Sequence, residues 1–202
     1  MKKNYVFPPG VVAFAALLAL TCMLSSSRIC WSGGHPSSAG AYKIVIHKSK
    51  QLLELRENGV RVKSYRVVLG IAPEGRKSLV GDKKTPEGNY YICMKSASSR
   101  FRISYPGEDD AQYAFEKGLI SLDTRDAIIS KIREGKPPPW NTKLGGWVGI
   151  HGYPSNEYQR RWVALLYPKP HNWTDGCIAL WNFEIEELFA TVPLGTPVTI
   201  LP

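Results

Sequence analysis

The sequence predicts a mainly β domain with a few short helices. Residues 42–47 alternate between two faces with the period of two that is typical of a strand. Two further β-rich runs, 52–56 and 60–69, flank Asn58-Gly59, a dipeptide that favours a tight hairpin turn. Together these segments predict a β-meander at the start of the folded part of the chain.

The other elements follow in order along the chain. Strand composition recurs at residues 89–94, 147–151, 177–180 and 197–201. Helices are predicted at 108–118 and 124–134, before the proline block 137–139, which must be extended or turn. A third helix is predicted from a cap at Asn182 to about Ala190, with glutamates near its positive end.

The N-terminus has the order of charges and apolar residues found in an export signal. Two lysines precede an apolar run that ends at Leu24. We interpret residues 1–24 as a signal peptide or, because no good cleavage site follows, as an N-terminal anchor in the inner membrane. Residues 25–40 are rich in Ser, Gly and Pro and predict a flexible tether, which leaves 41–202 as the folded domain. The protein is therefore expected in the periplasm or cell envelope.

The net charge of +9 favours an anionic partner. Outside the cytoplasm the candidates are peptidoglycan carboxylates, anionic lipid or surface polysaccharide rather than nucleic acid, and membrane contact is expected only through the N-terminal segment. A solvated basic surface is the plainer alternative. Of four cysteines, Cys22 and Cys30 lie in the N-terminal segment, so Cys93 and Cys177 make a weak disulfide framework.

Cys177 has the sharpest local signal for chemistry. It follows Trp173-Thr174-Asp175-Gly176. A glycine directly before a nucleophile lets the backbone turn sharply, so that an exposed thiolate and amide donors for an oxyanion share one turn. The alternative is a small buried cysteine at the start of a strand.

His151 is the candidate base, because Gly152 follows it at the end of a predicted strand. A thiolate–imidazolium pair is the usual way to activate sulfur for attack on a carbonyl. A structural histidine is the alternative, and His171 is a rival base or a substrate contact. Zinc is disfavoured because no short paired-ligand spacing is present, and Gly145-Gly146 lacks the context of a phosphate loop. No metal and no cofactor are expected.

Four motifs in order resemble the L,D-transpeptidase catalytic domain, also called the YkuD domain. They are Gly81-Asp82-Lys83-Lys84-Thr85-Pro86-Glu87-Gly88, Ile103-Ser104-Tyr105-Pro106, Ile150-His151-Gly152 and Thr174-Asp175-Gly176-Cys177-Ile178-Ala179-Leu180. The resemblance implies a β-sandwich-like catalytic domain over residues 41–202. On the residues alone, the segment 81–88 is a tight connection or a loop that positions substrate.

The resemblance also implies roles for individual residues. Cys177 would be the nucleophile and His151 the general base and acid. Oxyanion stabilisation or positioning would fall to Gly176, Asp175, Thr174 and Gly152, and substrate contacts to Tyr153 and His171. Many members carry His where this chain has Asp175 and Arg where it has Ala179, which affects the expected donor and acceptor. Residues 121–146 exceed a minimal domain and suggest a lid.

Three functions remain open at this point. By resemblance, the first is an L,D-transpeptidase that attacks a tetrapeptide stem of peptidoglycan, releases D-alanine and forms a 3-3 cross-link or attaches a wall protein. A carboxypeptidase or hydrolase would use the same thiol with water as acceptor. A non-catalytic wall-binding module is the third.

Overall fold

The structure, a computed structural model, describes residues 41–98, 100–154 and 171–202. Eight strands are β1 (Tyr42–His47), β2 (Leu52–Glu57), β3 (Val60–Arg66), β4 (Gly88–Ser96), β5 (Arg100–Ile103), β6 (Gly149–Gly152), β7 (Ile178–Leu180) and β8 (Pro197–Leu201). The described helices are α1 (Glu108–Glu116), α2 (Leu122–Arg133) and α3 (Asn182–Thr191).

All eight strands form one sheet in the order β3-β2-β1-β8-β4-β5-β6-β7. The first three make the predicted antiparallel meander. Its turn at Asn58-Gly59 has φ values of 50° and 83°, the left-handed conformation that this dipeptide adopts readily. The strand β8 returns from the end of the chain to lie between β1 and β4, so the two halves of the domain share one sheet.

The two edges of the sheet meet, so that it nearly closes into a barrel. Val68, just beyond β3, exchanges backbone hydrogen bonds of 3.0 and 2.9 Å with Ala179 of β7. A second bridge joins Gly70 to Thr174. The mainly β fold class predicted from the sequence is confirmed. Through these bridges, β7 and the turn before it contact the segment that follows β3.

A single apolar core fills the sheet and supports its site-bearing end. Ile150 and Ile178, paired on neighbouring strands, are both fully buried. Ile185 and Leu188 of the helix α3 pack into the same core as the side chains of the strands. Burying such side chains stabilises each by about 1.5–3 kcal/mol, which fixes the strands that carry the site.

The helices α1 and α2 pack on each other rather than on the main core. Ala111, Ala114, Ile128 and Leu144 form their small separate cluster. Beside this cluster lies a cavity of about 810 Å³, lined by Leu119, Thr124, Asn141 and neighbouring residues. That residues 121–146 act as a lid stays a prediction.

Local differences from the sequence prediction have simple causes. The strand β5 was not predicted, because its arginines alternate with only two apolar residues. The helix α3 begins at Asn182, but its cap is Trp181, whose amide donates to Glu184 Oε2 at 3.1 Å. A glutamate at the third helical position thus takes over the capping that the sequence suggested for Asn182.

The predicted signal peptide or anchor (1–24) and tether (25–40) lie outside the described residues and stay predictions. Cys22 and Cys30 lie there as well. Among the residues that the structure describes, no helix has the length and apolar character needed to cross a membrane.

Candidate active site

The parallel pair β6 and β7 brings His151 and Cys177 to one end of the sheet. His151 pairs with Ala179, and Cys177 lies one residue before β7. Because side chains alternate along a strand, residues two apart share a face. Cys177, two residues before Ala179, therefore lies on the face of the sheet that carries Ala179 and His151.

The turn before Cys177 is held from within by Thr174. Its buried hydroxyl donates to the Cys177 carbonyl at 2.6 Å and accepts from the Gly176 amide at 3.2 Å. Gly176 has φ +125°, and a Cβ on it would lie 2.5 Å from the Lys84 carbonyl oxygen. Both the backbone angle and the close approach require glycine here.

The loop that presses on Gly176 is the segment 81–88 that the sequence singled out. Asp82 accepts hydrogen bonds from the buried Lys77 ammonium and from the amides of Ser78, Leu79 and Lys84. Burial raises the pKa of Asp82, but these bonds outweigh it and leave the pKa below its ordinary value. Asp82 thus fixes the loop, which favours the interpretation of a tight connection.

Asp175 lies on the outside of this turn. Its carboxylate is 2.6 Å from the Lys83 ammonium, with the two side chains 77% and 45% exposed. Exposed pairs of this kind stabilise a protein by less than about 1 kcal/mol. Asp175 is therefore in a position to tie the loop to the turn rather than to face the thiol.

The Cys177 thiol is partly exposed, and its sulfur lies 3.9 Å from the Trp147 carbonyl oxygen. Burial raises the pKa of the thiol above its ordinary value, while a backbone hydrogen bond from Gly149 and the charge of Arg102 oppose that rise. The resting form of the side chain at neutral pH is consequently the thiol.

The His151 ring is oriented by its own backbone neighbourhood. Its Nδ1 lies 2.7 Å from the Gly152 carbonyl oxygen. Since a carbonyl only accepts, Nδ1 carries the proton and Nε2 keeps the lone pair of a base. Burial lowers the pKa of His151 below its ordinary value, with the charge of Arg102 acting in the same direction and the Gly152 bond opposing it. In the free site both shifts favour the uncharged forms of the two side chains, and the thiolate–imidazolium pair stays a prediction.

The pKa of His151 predicts an unusual acid limb for any reaction in which it is the base. Protonation removes the base, and burial moves that protonation below the ordinary value of 6.5. We expect the midpoint of the acid limb of kcat/KM to lie below 6.5. A pH profile of kcat/KM measures this, and a midpoint at or above 6.5 contradicts the prediction.

An aromatic wall adjoins His151. Trp173 meets the imidazole edge-on at 6.0 Å between ring centroids. Tyr153 packs on Trp173 at 5.4 Å and stacks on Trp181 at 4.7 Å. Tyr153 is thus joined to the site through Trp173, whereas His171 is exposed in the segment that leads to Trp173. Substrate contacts by Tyr153 and His171 stay predictions.

Gly152 matters for packing against α3. A Cβ on it would lie 2.3 Å from the Asn182 Oδ1 atom. The start of α3 therefore approaches the end of β6 so closely that a side chain at position 152 would require Asn182 to move. This close approach seats the helix directly behind His151.

Arg102 is a site residue that the sequence analysis did not identify. It lies on β5, opposite Gly149 of β6, and its Nη1 donates to the Trp147 carbonyl at 3.0 Å. The same carbonyl oxygen is the neighbour of the thiol. The strand pairing that carries Arg102 there is long-range, so no local signal pointed to it.

The family of the chain follows from its match to a family model. The model of the L,D-transpeptidase catalytic domain, YkuD, matches residues 41–200. The chain belongs to this family. The resemblance found in the four sequence motifs is confirmed, and the site described above lies within the matched L,D-transpeptidase domain. A search of curated proteins gave no significant match.

Solved structures with related folds include three of interest. The helical cell shape determining protein Pgp2 from Campylobacter jejuni is 21% identical with a TM-score of 0.51, over 79% of this chain and 47% of that one. Bd1075 from Bdellovibrio bacteriovorus is 19% identical with a TM-score of 0.47, over 80% and 48%. L,D-transpeptidase 1 from Mycobacterium tuberculosis is 15% identical with a TM-score of 0.42, over 80% and 62%.

These matches bear on the fold alone. The chain spans about half the length of Pgp2 and of Bd1075. The activity, substrate and partners of the whole protein are therefore matters for proposal.

Proposed function

We propose that this chain is a peptidoglycan L,D-transpeptidase in which Cys177 is the nucleophile and His151 the general base and acid. The observation that carries the proposal is the parallel β6–β7 pairing, which puts thiol and imidazole on one face at one end of the sheet. The partly exposed thiol and the fixed tautomer of the imidazole support it.

The first half-reaction forms a thioester. His151 Nε2 takes the thiol proton as sulfur attacks the carbonyl between the L- and D-centres of a tetrapeptide stem. The Cys177 amide stabilises the oxyanion, at about 3 kcal/mol per donor. The Gly176 amide can join it only by giving up its bond to the Thr174 hydroxyl. The imidazolium then protonates the leaving nitrogen, and D-alanine departs.

The second half-reaction transfers the acyl group. His151, neutral again, takes a proton from the incoming amine of a second stem, or of a wall protein, and sulfur leaves as the thiol. The low pKa of His151 favours its neutral form, which both proton-accepting steps need. No metal or cofactor is used in this scheme.

Water in place of the amine gives the second candidate, a carboxypeptidase or hydrolase with the same thiol. The exposure of the site supports this alternative, because a partly open thioester is accessible to water. Either activity changes the stem peptides of the wall, and with them its cross-linking. We place the protein in the periplasm or cell envelope on the basis of its predicted N-terminal segment.

The test is to incubate the full chain and its Cys177→Ala variant with disaccharide-tetrapeptides and to identify products by mass spectrometry. A Cys177-dependent dimer that has lost one D-alanine supports the transpeptidase. Monomeric tripeptide without dimer assigns the hydrolase instead. Unchanged peptides with both proteins contradict the proposal and favour a missing acceptor or a wall-binding module.

A further inference from the structure

A cationic side chain shares its binding partner with the nucleophile. Arg102 Nη1 and the Cys177 sulfur both contact the Trp147 carbonyl oxygen, at 3.0 and 3.9 Å. A Cβ on Gly149 would lie 2.7 Å from this Nη1, so the guanidinium covers the backbone of the strand that carries His151. Arg102 therefore lies on the reactive face of the sheet.

The charge of Arg102 has no carboxylate partner within the described parts of the chain. No ion pair forms at Arg102 there, although neighbouring Arg100 pairs with Glu186 at 3.4 Å. Its Nε atom is buried and, within the same ranges, has no hydrogen-bond partner. A guanidinium has five donors and favours carboxylates, so a single carbonyl leaves most of its binding capacity unused.

The backbone that holds Arg102 in place is itself unusual. Trp147 adopts φ +59°, a left-handed conformation that is rare for a non-glycine residue. The guanidinium lies 5.7 Å from the centroid of the Trp147 ring while it binds the carbonyl. The two contacts fix Arg102 beside the sulfur rather than leaving it to move in solvent.

We propose that Arg102 binds the terminal carboxylate of the donor peptide and thereby makes the enzyme specific for stems that end one residue after the scissile bond. This inference rests on the proposed function of the Cys177 site. A carboxylate one residue beyond the attacked carbonyl lies about 3–4 Å from it, and sulfur attacks from about 3–3.5 Å. A group that shares an oxygen contact with the sulfur is within reach of that carboxylate.

The test compares three donors at the wild-type protein and measures D-alanine or D-alaninamide release. The first is a tetrapeptide with a free carboxylate, the second its C-terminal amide, and the third replaces diaminopimelate by lysine to remove the carboxylate at the end of the diaminopimelate side chain. We expect the terminal amide to lower kcat/KM by about 10- to 100-fold. The lysine donor separates the two carboxylates that could bind.

Variants assign this preference to Arg102. Arg102→Gln keeps a donor for the Trp147 carbonyl but removes the charge, and we expect it to raise KM for the free-carboxylate donor and to treat carboxylate and amide alike. Arg102→Lys should restore part of the preference. The matched control is Arg100→Ala on the same strand, which changes net charge equally and should keep the preference.

The outcomes are distinguishable from those that test the proposed function. If the wild-type protein cleaves neither donor in a Cys177-dependent manner, the proposed function fails. If it cleaves the free-carboxylate donor and its amide equally, or if Arg102→Gln keeps the full preference, only the role of Arg102 is overturned. The role of Arg102 is also overturned if Arg102→Gln loses the discrimination between the diaminopimelate and lysine donors instead of that between carboxylate and amide.

Discussion

Cys177→Ala and His151→Ala are each expected to lower kcat/KM for acyl transfer by about 10⁴-fold or more, and the double variant by no more than either alone. Sulfur and imidazole act on one proton, so the loss of either disables the same step. Both side chains are partly exposed, and the fold should survive each change. Steady-state kinetics with thermal unfolding of each variant measures this.

Matched controls separate chemistry from the loss of any thiol or imidazole. Cys93 is buried, and burial raises the pKa of its thiol to about 12. Cys93→Ala should therefore keep activity. His171→Ala should do the same, because His171 is exposed outside the β6–β7 pair. Full activity in His151→Ala, or its loss in His171→Ala, contradicts the assignment of the base.

Gly70→Ala is expected to have the second largest effect although Gly70 performs no chemistry. A Cβ at this position would lie 2.1 Å from the Lys83 carbonyl oxygen and 3.1 Å from the Gly176 Cα. The added methyl group must push the 81–88 loop away from the nucleophile turn. We expect the free energy of unfolding to fall by about 3 kcal/mol, and kcat/KM to fall by about 100-fold because the turn is displaced.

Urea unfolding and steady-state kinetics of Gly70→Ala check both parts of this expectation. The control is Gly118→Ala, where φ is +68° and no atom lies within 4 Å of the added Cβ. This control should be destabilised only by the cost of placing alanine in the left-handed conformation, about 1 kcal/mol, and should keep normal activity. If Gly70→Ala is as stable as the wild type, the 81–88 loop moves without a cost in free energy, and the prediction is contradicted.

The sequence predicted those features of the fold that depend on local patterns. The meander, its Asn58-Gly59 turn and the final strand each carry a signal within a few residues. The motif Thr174–Cys177 also pointed to a glycine-dependent turn, because a glycine directly before the cysteine lets the backbone turn sharply. The resemblance to the family came from the order of such motifs rather than from any single one, and the family model over residues 41–200 confirmed it.

Features that depend on distant pairing were not accessible from the sequence. Arg102 shares the Trp147 carbonyl with the thiol only because β5 lies between β4 and β6. The low pKa of His151 and the high pKa of Cys177 both come mainly from burial, which the sequence does not show. A neutral resting pair could therefore not be distinguished from an ion pair before the fold was known.

The contact of Val68 with Ala179 has a consequence for how the enzyme matures. It joins parts of the chain that are far apart in sequence, and closing so long a loop slows folding. Cys177 gains the Gly149 backbone and His151 as neighbours through the β6–β7 pairing, which also joins parts of the chain that are distant in sequence. A molecule in which these strands have not yet paired therefore holds its cysteine without the proposed base.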